Sequence, residues 1–125
     1  MDNVLKELYE TVVERKGEKQ EGSYTCYLFE KGIDKILKKC GEECTEMVIA
    51  AKNADNDELK NEIADLMYHI MVMCVERGLA WEEVEAVLAE RSNKTGNLKQ
   101  FHTVEKIRNN AVSPAVRRGK LLFNG

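Results

Sequence analysis

The chain has 125 residues, of which 43% are apolar, 33% charged and 6% aromatic, with a single proline and a net charge of −3. That length holds one domain with a core that needs no disulfide staples, and so little proline and aromatic content favours helix over sheet. No apolar run approaches the ~18 residues of a membrane span, and the opening Met-Asp-Asn-Val-Leu-Lys-Glu lacks the regions of a signal peptide, so a cytoplasmic protein with no membrane partner is expected.

Residues 3–15 carry Val4, Leu5, Leu8, Tyr9, Val12 and Val13 on one stripe and read as a first amphipathic helix. Gly17 to Gly22 breaks it with a polar loop. Ser23-Tyr24-Thr25 opens a short helix, where Ser23 or Thr25 can accept from free backbone N–H groups as an N-cap. Gly32 is expected to interrupt the chain before a long helix over 33–52. Asn53 to Asp57 is a turn, and Asp55 with Glu58 three residues on reads as a capping box for a second long helix over 56–77, stopped by Gly78. A further helix over roughly 81–92 starts weakly at Ala80 and turns Trp81, Val84, Val87 and Leu88 inward.

Only a short turn joins the long helices, so they are antiparallel neighbours. Ile36, Cys40 and Met47 should meet Ile63, Leu66 and Ile70 along the seam. Tyr68, Met71, Val72 and Val75 lie off that stripe, which makes the second long helix apolar nearly all round and buried on several sides. The expected architecture is an all-α antiparallel bundle built around two long helices, its core completed by dimerisation into a homodimer or higher homo-oligomer. Cys26, Cys40, Cys44 and Cys74 show no Cys-x-x-Cys spacing and read as small reduced residues, three of them on apolar arcs.

Charge is unevenly spread. Residues 1–91 hold 12 Lys/Arg against 21 Asp/Glu, whereas residues 92–125 hold 7 against 1. The pattern therefore divides the chain into a helical domain over 1–92, a basic extension over 93–108 and a mobile tail over 109–125. Such a tail can pair with the body or gather phosphates; without interleaved aromatics or a recognition motif, nucleic acid is not the expected partner.

Two acidic pairs stand out on the long helices, Glu43/Glu46 and Glu62/Asp65, each spaced i, i+3 so that its carboxylates share a face. At about 100° per residue, Glu43 lies about 20° from Ile36 and about 40° from Met47, inside the edge of the apolar arc. A carboxylate aimed at a packed interface is costly unless it is paired, hydrogen-bonded or bound to metal. Taken singly each acid could be solvated surface, but four converging ask for a cation. All-oxygen ligands suit Mg²⁺, with Mn²⁺ as an alternative, rather than zinc. Lys39, His69 and Lys94 are the candidate phosphate contacts. His69, one turn from Asp65, could instead support the acids or be a buried structural histidine.

Gly22-Ser23-Tyr24-Thr25, Leu28-Phe29-x-x-Gly32, Lys38-Lys39-Cys40-Gly41-Glu42-Glu43-x-x-Glu46 and Glu62-x-x-Asp65-Leu66-x-Tyr68-His69 together resemble the phosphoribosyl-ATP pyrophosphatase family. The likeness runs from about residue 5 to 92. The acidic core alone is similar to the wider all-α nucleoside triphosphate pyrophosphohydrolases, MazG-type enzymes included. The resemblance implies a dimeric helical bundle and Mg²⁺-dependent hydrolysis of phosphoribosyl-ATP to phosphoribosyl-AMP and pyrophosphate, in histidine biosynthesis. By position it makes Glu43, Glu46, Glu62 and Asp65 the metal ligands and Glu42 the first acid of the motif, with a catalytic role. It makes Ser23, Tyr24 and Thr25 substrate contacts. The Lys94-Thr95-Gly96-Asn97 turn continues past the usual family end and could hold phosphate through Lys94 and Asn97. No cyclohydrolase domain is expected ahead of the first helix. The rival readings are a MazG-like housekeeping pyrophosphohydrolase and a non-catalytic helical dimerisation module.

Overall fold

A computed structural model describes residues 3–94, which form five helices and no strand. These are α1 (Val4–Arg15), α2 (Tyr24–Lys31), α3 (Ile33–Lys52), α4 (Asn56–Arg77) and α5 (Trp81–Ser92). Residues Met1–Val84 form one compact unit, and a second begins at Glu85. The extension and tail expected from 95 onward, Asn97 included, lie outside the described residues.

Local chemistry sets the helix ends. Asn3 Oδ1 accepts from the Lys6 N–H at 3.1 Å to cap α1. Ser23, rather than Thr25, caps α2 by accepting from the Cys26 N–H at 3.2 Å. Asp55 caps α4 by accepting from the Glu58 N–H at 3.1 Å. The capping box is only half formed, because the Asp55 N–H donates to Ala50 O at 3.2 Å rather than to the Glu58 carboxyl. The weak start at Ala80 is met from the other side: Glu83 Oε2 accepts from the Ala80 N–H at 3.0 Å.

Two glycines make turns that a side chain would strain. Gly78 takes the left-handed conformation (φ 72°) that ends α4, with the Leu79 N–H returning to Cys74 O at 2.8 Å. Gly32, with φ 91° and ψ −174°, is the one-residue joint between α2 and α3. A Cβ there would meet nothing within 4 Å, so a substitution costs backbone strain alone. Gly32→Ala is expected to lower stability by about 1–3 kcal/mol, read as a fall in denaturation midpoint; an unchanged midpoint would refute the assignment.

The core takes in Ile36 and Trp81 as expected, and it centres on the further apolar side of α4 rather than on the expected seam. Val12 from α1, Leu28 from α2, Ile36 from α3, and Met71, Val72, Cys74 and Val75 from α4 are buried together with Trp81. The α4 face expected to lie away from the main stripe is thus the core face. It packs against α1 and α2 as well as α3. Tyr9 Oη closes this unit by donating to Leu79 O at 3.0 Å.

On α3 the buried line is Ile36, Glu43 and Ala50, while Leu37, Cys44 and Val48, which fall on the same apolar arc by angle, are exposed. On α4, Ile63 of the expected seam is exposed, and Leu66 and Ile70 are only partly covered. Val87 and Leu88 on α5 are also exposed rather than inward. The physical reason is that α3 and α4 turn their acids toward each other, which rotates neighbouring apolar side chains out. All four cysteines are free, with only Cys26 and Cys74 buried.

Candidate active site

The packing of α3 on α4 brings one carboxylate oxygen each of Glu43, Glu62 and Asp65 within 4.8 Å of one another. Glu43 and Glu62 are 7% and 9% exposed, while Asp65 opens to solvent. One oxygen of Glu43 and one of Glu62 are buried without a hydrogen-bond partner. Three carboxylates this close repel, and buried anionic oxygens with no donor are unfavourable. The arrangement fits a hard divalent cation bound by oxygen, and among the described residues no other cluster has that character.

Glu46 stands outside the tight group but within hydrogen-bonding reach of Glu62. Glu58, one turn before Glu62, adds a further acid that the sequence reading used only as a cap partner. Its i, i+4 spacing to Glu62 was the available signal. The Glu62 carboxyl is pushed up to about 7, first because when protonated it can donate to Glu58, then by burial and by Glu46 and Glu43. Glu46, Glu58 and Glu62, with Asp55, border an open recess of about 320 Å³. A larger hollow of about 770 Å³ under the 16–23 loop contains none of the metal-candidate acids, so charge rather than volume marks the site.

Lysine closes one flank. Lys39 Nζ donates to Glu42 Oε2 at 3.1 Å and lies 3.7 Å from Glu43 Oε1. The hydrogen bond to Glu42 raises the Lys39 ammonium above its usual range, and the same bond holds the exposed Glu42 carboxyl below its own. Glu42 also faces Lys38 at 4.0 Å. Glu42 is therefore an anion shared between two lysines, on the rim rather than in the cluster.

Aromatic groups also border the site. Tyr24 Oη meets His69 Nε2 at 3.0 Å, and His69 Nδ1 meets the backbone oxygen of Asp65 at 2.7 Å. His69 is 5% exposed with both ring nitrogens engaged, which leaves neither free for a phosphate in this arrangement. Thr25 Oγ1 pairs with Tyr68 Oη, a residue given no role in the sequence reading. Burial pushes the Tyr24 and Tyr68 hydroxyls up, so both keep their protons at neutral pH. Ser23 is spent as the α2 cap. Lys94 is ion-paired with Glu90 at 3.0 Å.

Fold and site together define an all-helical protein with a carboxylate centre between its two long helices. Residues 5–92 match the family described as phosphoribosyl-ATP pyrophosphohydrolase. Over 95 residues the chain is 57% identical to the phosphoribosyl-ATP pyrophosphatase of Streptococcus sanguinis, covering 76% of this chain and 91% of that one. It is 52% identical over 103 residues to the Lactiplantibacillus plantarum phosphoribosyl-ATP pyrophosphatase, covering 82% and 97%. With the protein of that name from Clostridium botulinum it shares 50% identity over 107 residues, covering 85% and 97%. This chain belongs to the phosphoribosyl-ATP pyrophosphohydrolase family.

Proposed function

We propose that this protein hydrolyses the α–β phosphoanhydride of phosphoribosyl-ATP, releasing phosphoribosyl-AMP and pyrophosphate in the histidine pathway, as a cytoplasmic Mg²⁺-dependent homo-oligomer. The observation that carries this reading is the convergence of Glu43, Glu62 and Asp65 within 4.8 Å in a chain of this family.

Glu43, Glu62 and Asp65 would hold the cation, with Glu46 beside Glu62 to complete or support the set. Bound there, Mg²⁺ would neutralise phosphate oxygens and lower the pKa of a coordinated water. Mn²⁺ has the same ligand preference and could replace it. Lys39, held as a cation beside Glu43, would meet the triphosphate. Glu42, fixed by Lys38 and Lys39, orients those ammonium groups rather than taking up a proton itself. Tyr24 and Thr25 border the same face through His69 and Tyr68. No nucleophilic side chain is required, since the attacking group is water.

The oligomer is supported by the apolar side chains that the acids displace. Leu37, Val48 and Ile49 on α3 and Ile63 on α4 are 43–57% exposed, and apolar surface gathered on one helix pair suits an interface. A second copy covering it would bury what this chain leaves open. Val48→Glu should convert the oligomer to monomer in sedimentation or light-scattering measurements. A variant with the wild-type molecular mass would remove this face from the interface.

The function is tested by product analysis with phosphoribosyl-ATP, ATP and dCTP, each with and without Mg²⁺. Pyrophosphate release from phosphoribosyl-ATP should be Mg²⁺-dependent and far exceed that from the other two. Equal turnover of dCTP would assign the chain to housekeeping pyrophosphohydrolysis, and no turnover would leave only a helical assembly module.

A further inference from the structure

Along α3 the acid cluster lies between two flanks of opposite charge. Lys38 and Lys39 stand one turn before Glu43. Beyond Glu43 lies the recess of about 320 Å³, bordered by Glu46, Ile49, Ala50 and the cap Asn53 at the end of α3 and by Asp55 and Glu58 at the start of α4. Among the described residues none that borders it is basic. Glu62 joins the recess to the cluster: it borders both, is 9% exposed, and has a buried oxygen with no hydrogen-bond partner. A triphosphate is repelled from such walls and drawn toward the lysines.

The recess acids do not converge on a point. Among the described residues only Glu43, Glu62 and Asp65 bring three ligand oxygens within 4.8 Å of one another, as a metal ion requires. Acids spread around a recess, with Ile49 and Ala50 as an apolar wall, suit a flat organic cation whose charge is delocalised over a ring. From this contrast, and resting on the function proposed above, we infer that the recess is the subsite for the substrate's base and that Glu58 is its specificity-determining residue. In phosphoribosyl-ATP the added ribose is bonded to N1 of the adenine. A ring substituted at that nitrogen is a far stronger base than adenine and takes up a proton near neutral pH, becoming an amidinium-like cation with N–H donors at its edge. ATP carries the same amino group on a neutral ring. Carboxylates around the recess therefore favour the substituted ring through charge as well as hydrogen bonding, and the Asn53 amide can give or accept at the ring edge. From Lys39 to Ala50 the helix runs about 16 Å at 1.5 Å per residue, enough for an extended nucleotide with its base in the recess and its outer phosphates at the lysines. The anhydride to be cleaved then lies beside the acid cluster.

Titration calorimetry on Mg²⁺-loaded protein near pH 7 tests this with 1-methyl-AMP and AMP, which have no anhydride to hydrolyse. The methylated base carries the charge without the second ribose or its phosphate. Wild type should bind 1-methyl-AMP about fivefold more tightly than AMP, the upper range for exposed ion pairs. Glu58→Gln keeps the shape and removes the charge, so it should cut that preference below about twofold while moving the Kd of AMP by less than that. Equal affinities in wild type, or a preference that survives Glu58→Gln, would overturn the inference. So would a loss of affinity for both ligands alike, since Glu58 would then act only through its neighbour Glu62. Wild type that tells the two monophosphates apart but fails to hydrolyse phosphoribosyl-ATP strikes the proposed function and leaves the subsite; hydrolysis with equal affinities does the reverse.

Discussion

Glu62→Gln is expected to abolish pyrophosphate release while leaving the metal-free protein at least as stable as wild type at pH 8. The two halves have one cause. Glu62 is the buried acid that meets the most carboxylates in the site: it belongs to the tight group with Glu43 and Asp65, and it also faces Glu46 and Glu58. Replacing its charge with an amide removes a cation ligand and supplies an N–H donor to the remaining acids, so repulsion is relieved as function is lost. A cation contributes several kcal/mol to charge stabilisation in phosphoryl-type transition states. At about 1.36 kcal/mol per factor of ten, turnover should fall by roughly 10³-fold. Asp65→Asn should show a comparable loss, without the gain in stability because Asp65 is already solvated. The checks are steady-state pyrophosphate release and thermal unfolding followed by circular dichroism. Activity within tenfold of wild type in both variants would remove the acids from the mechanism.

Stability of the metal-free protein should fall as pH rises from about 5 to about 8, and added Mg²⁺ should restore it most at the high end. Glu62 holds its proton up to about 7 in the folded chain against an ordinary 4.5. The folded state therefore binds a proton that the unfolded chain has already released across that interval. Its contribution to stability is present in full below 4.5 and is lost as pH passes through 7. The lowered carboxyl of Glu42 acts in the opposite sense, but below its ordinary pKa and so outside this window. Divalent cation must displace the Glu62 proton, which makes binding stronger at higher pH and accompanied by proton release. At a hundredfold excess over Kd, binding adds about 2.7 kcal/mol, a shift of several degrees in midpoint for a domain of this size. Differential scanning calorimetry at pH 5 and pH 8, with and without Mg²⁺, measures both effects. A metal-free midpoint that rises from pH 5 to 8, or a Mg²⁺ shift as large at pH 5 as at pH 8, would contradict the acid-cluster account.

Much of this architecture was legible before any coordinates. Ser23, Asp55, Gly32 and Gly78 mark helix ends because capping and left-handed turns depend on residue type and immediate neighbours alone. The four acids were legible as two pairs for a similar reason, since i, i+3 spacing on a helix fixes which side chains share a face. Burial was read less well. Leu37 and Val48 belong to the apolar arc of α3 by angle, yet both are exposed, as is Ile63 of the expected α4 seam, while Met71, Val72 and Val75, expected as further buried sides of α4, form the centre of the core. Periodicity gives angles around one axis, and it carries no information about which of two apolar stripes a neighbour will occupy.

The chain by itself determined five helical segments, the boundaries between them, and two acidic turns on adjacent long helices, because each depends on contacts within a few residues. Only the tertiary structure decided how α3 and α4 rotate against each other, and with that which acids converge. It sent Glu43, Glu62 and Asp65 to one point, added Glu58 to their rim, and aimed His69 at a backbone carbonyl and the Tyr24 hydroxyl rather than at a carboxylate. Those outcomes depend on packing among residues dozens of positions apart, where α1 and α2 claim the most apolar face of α4 and leave its acidic flank to meet α3.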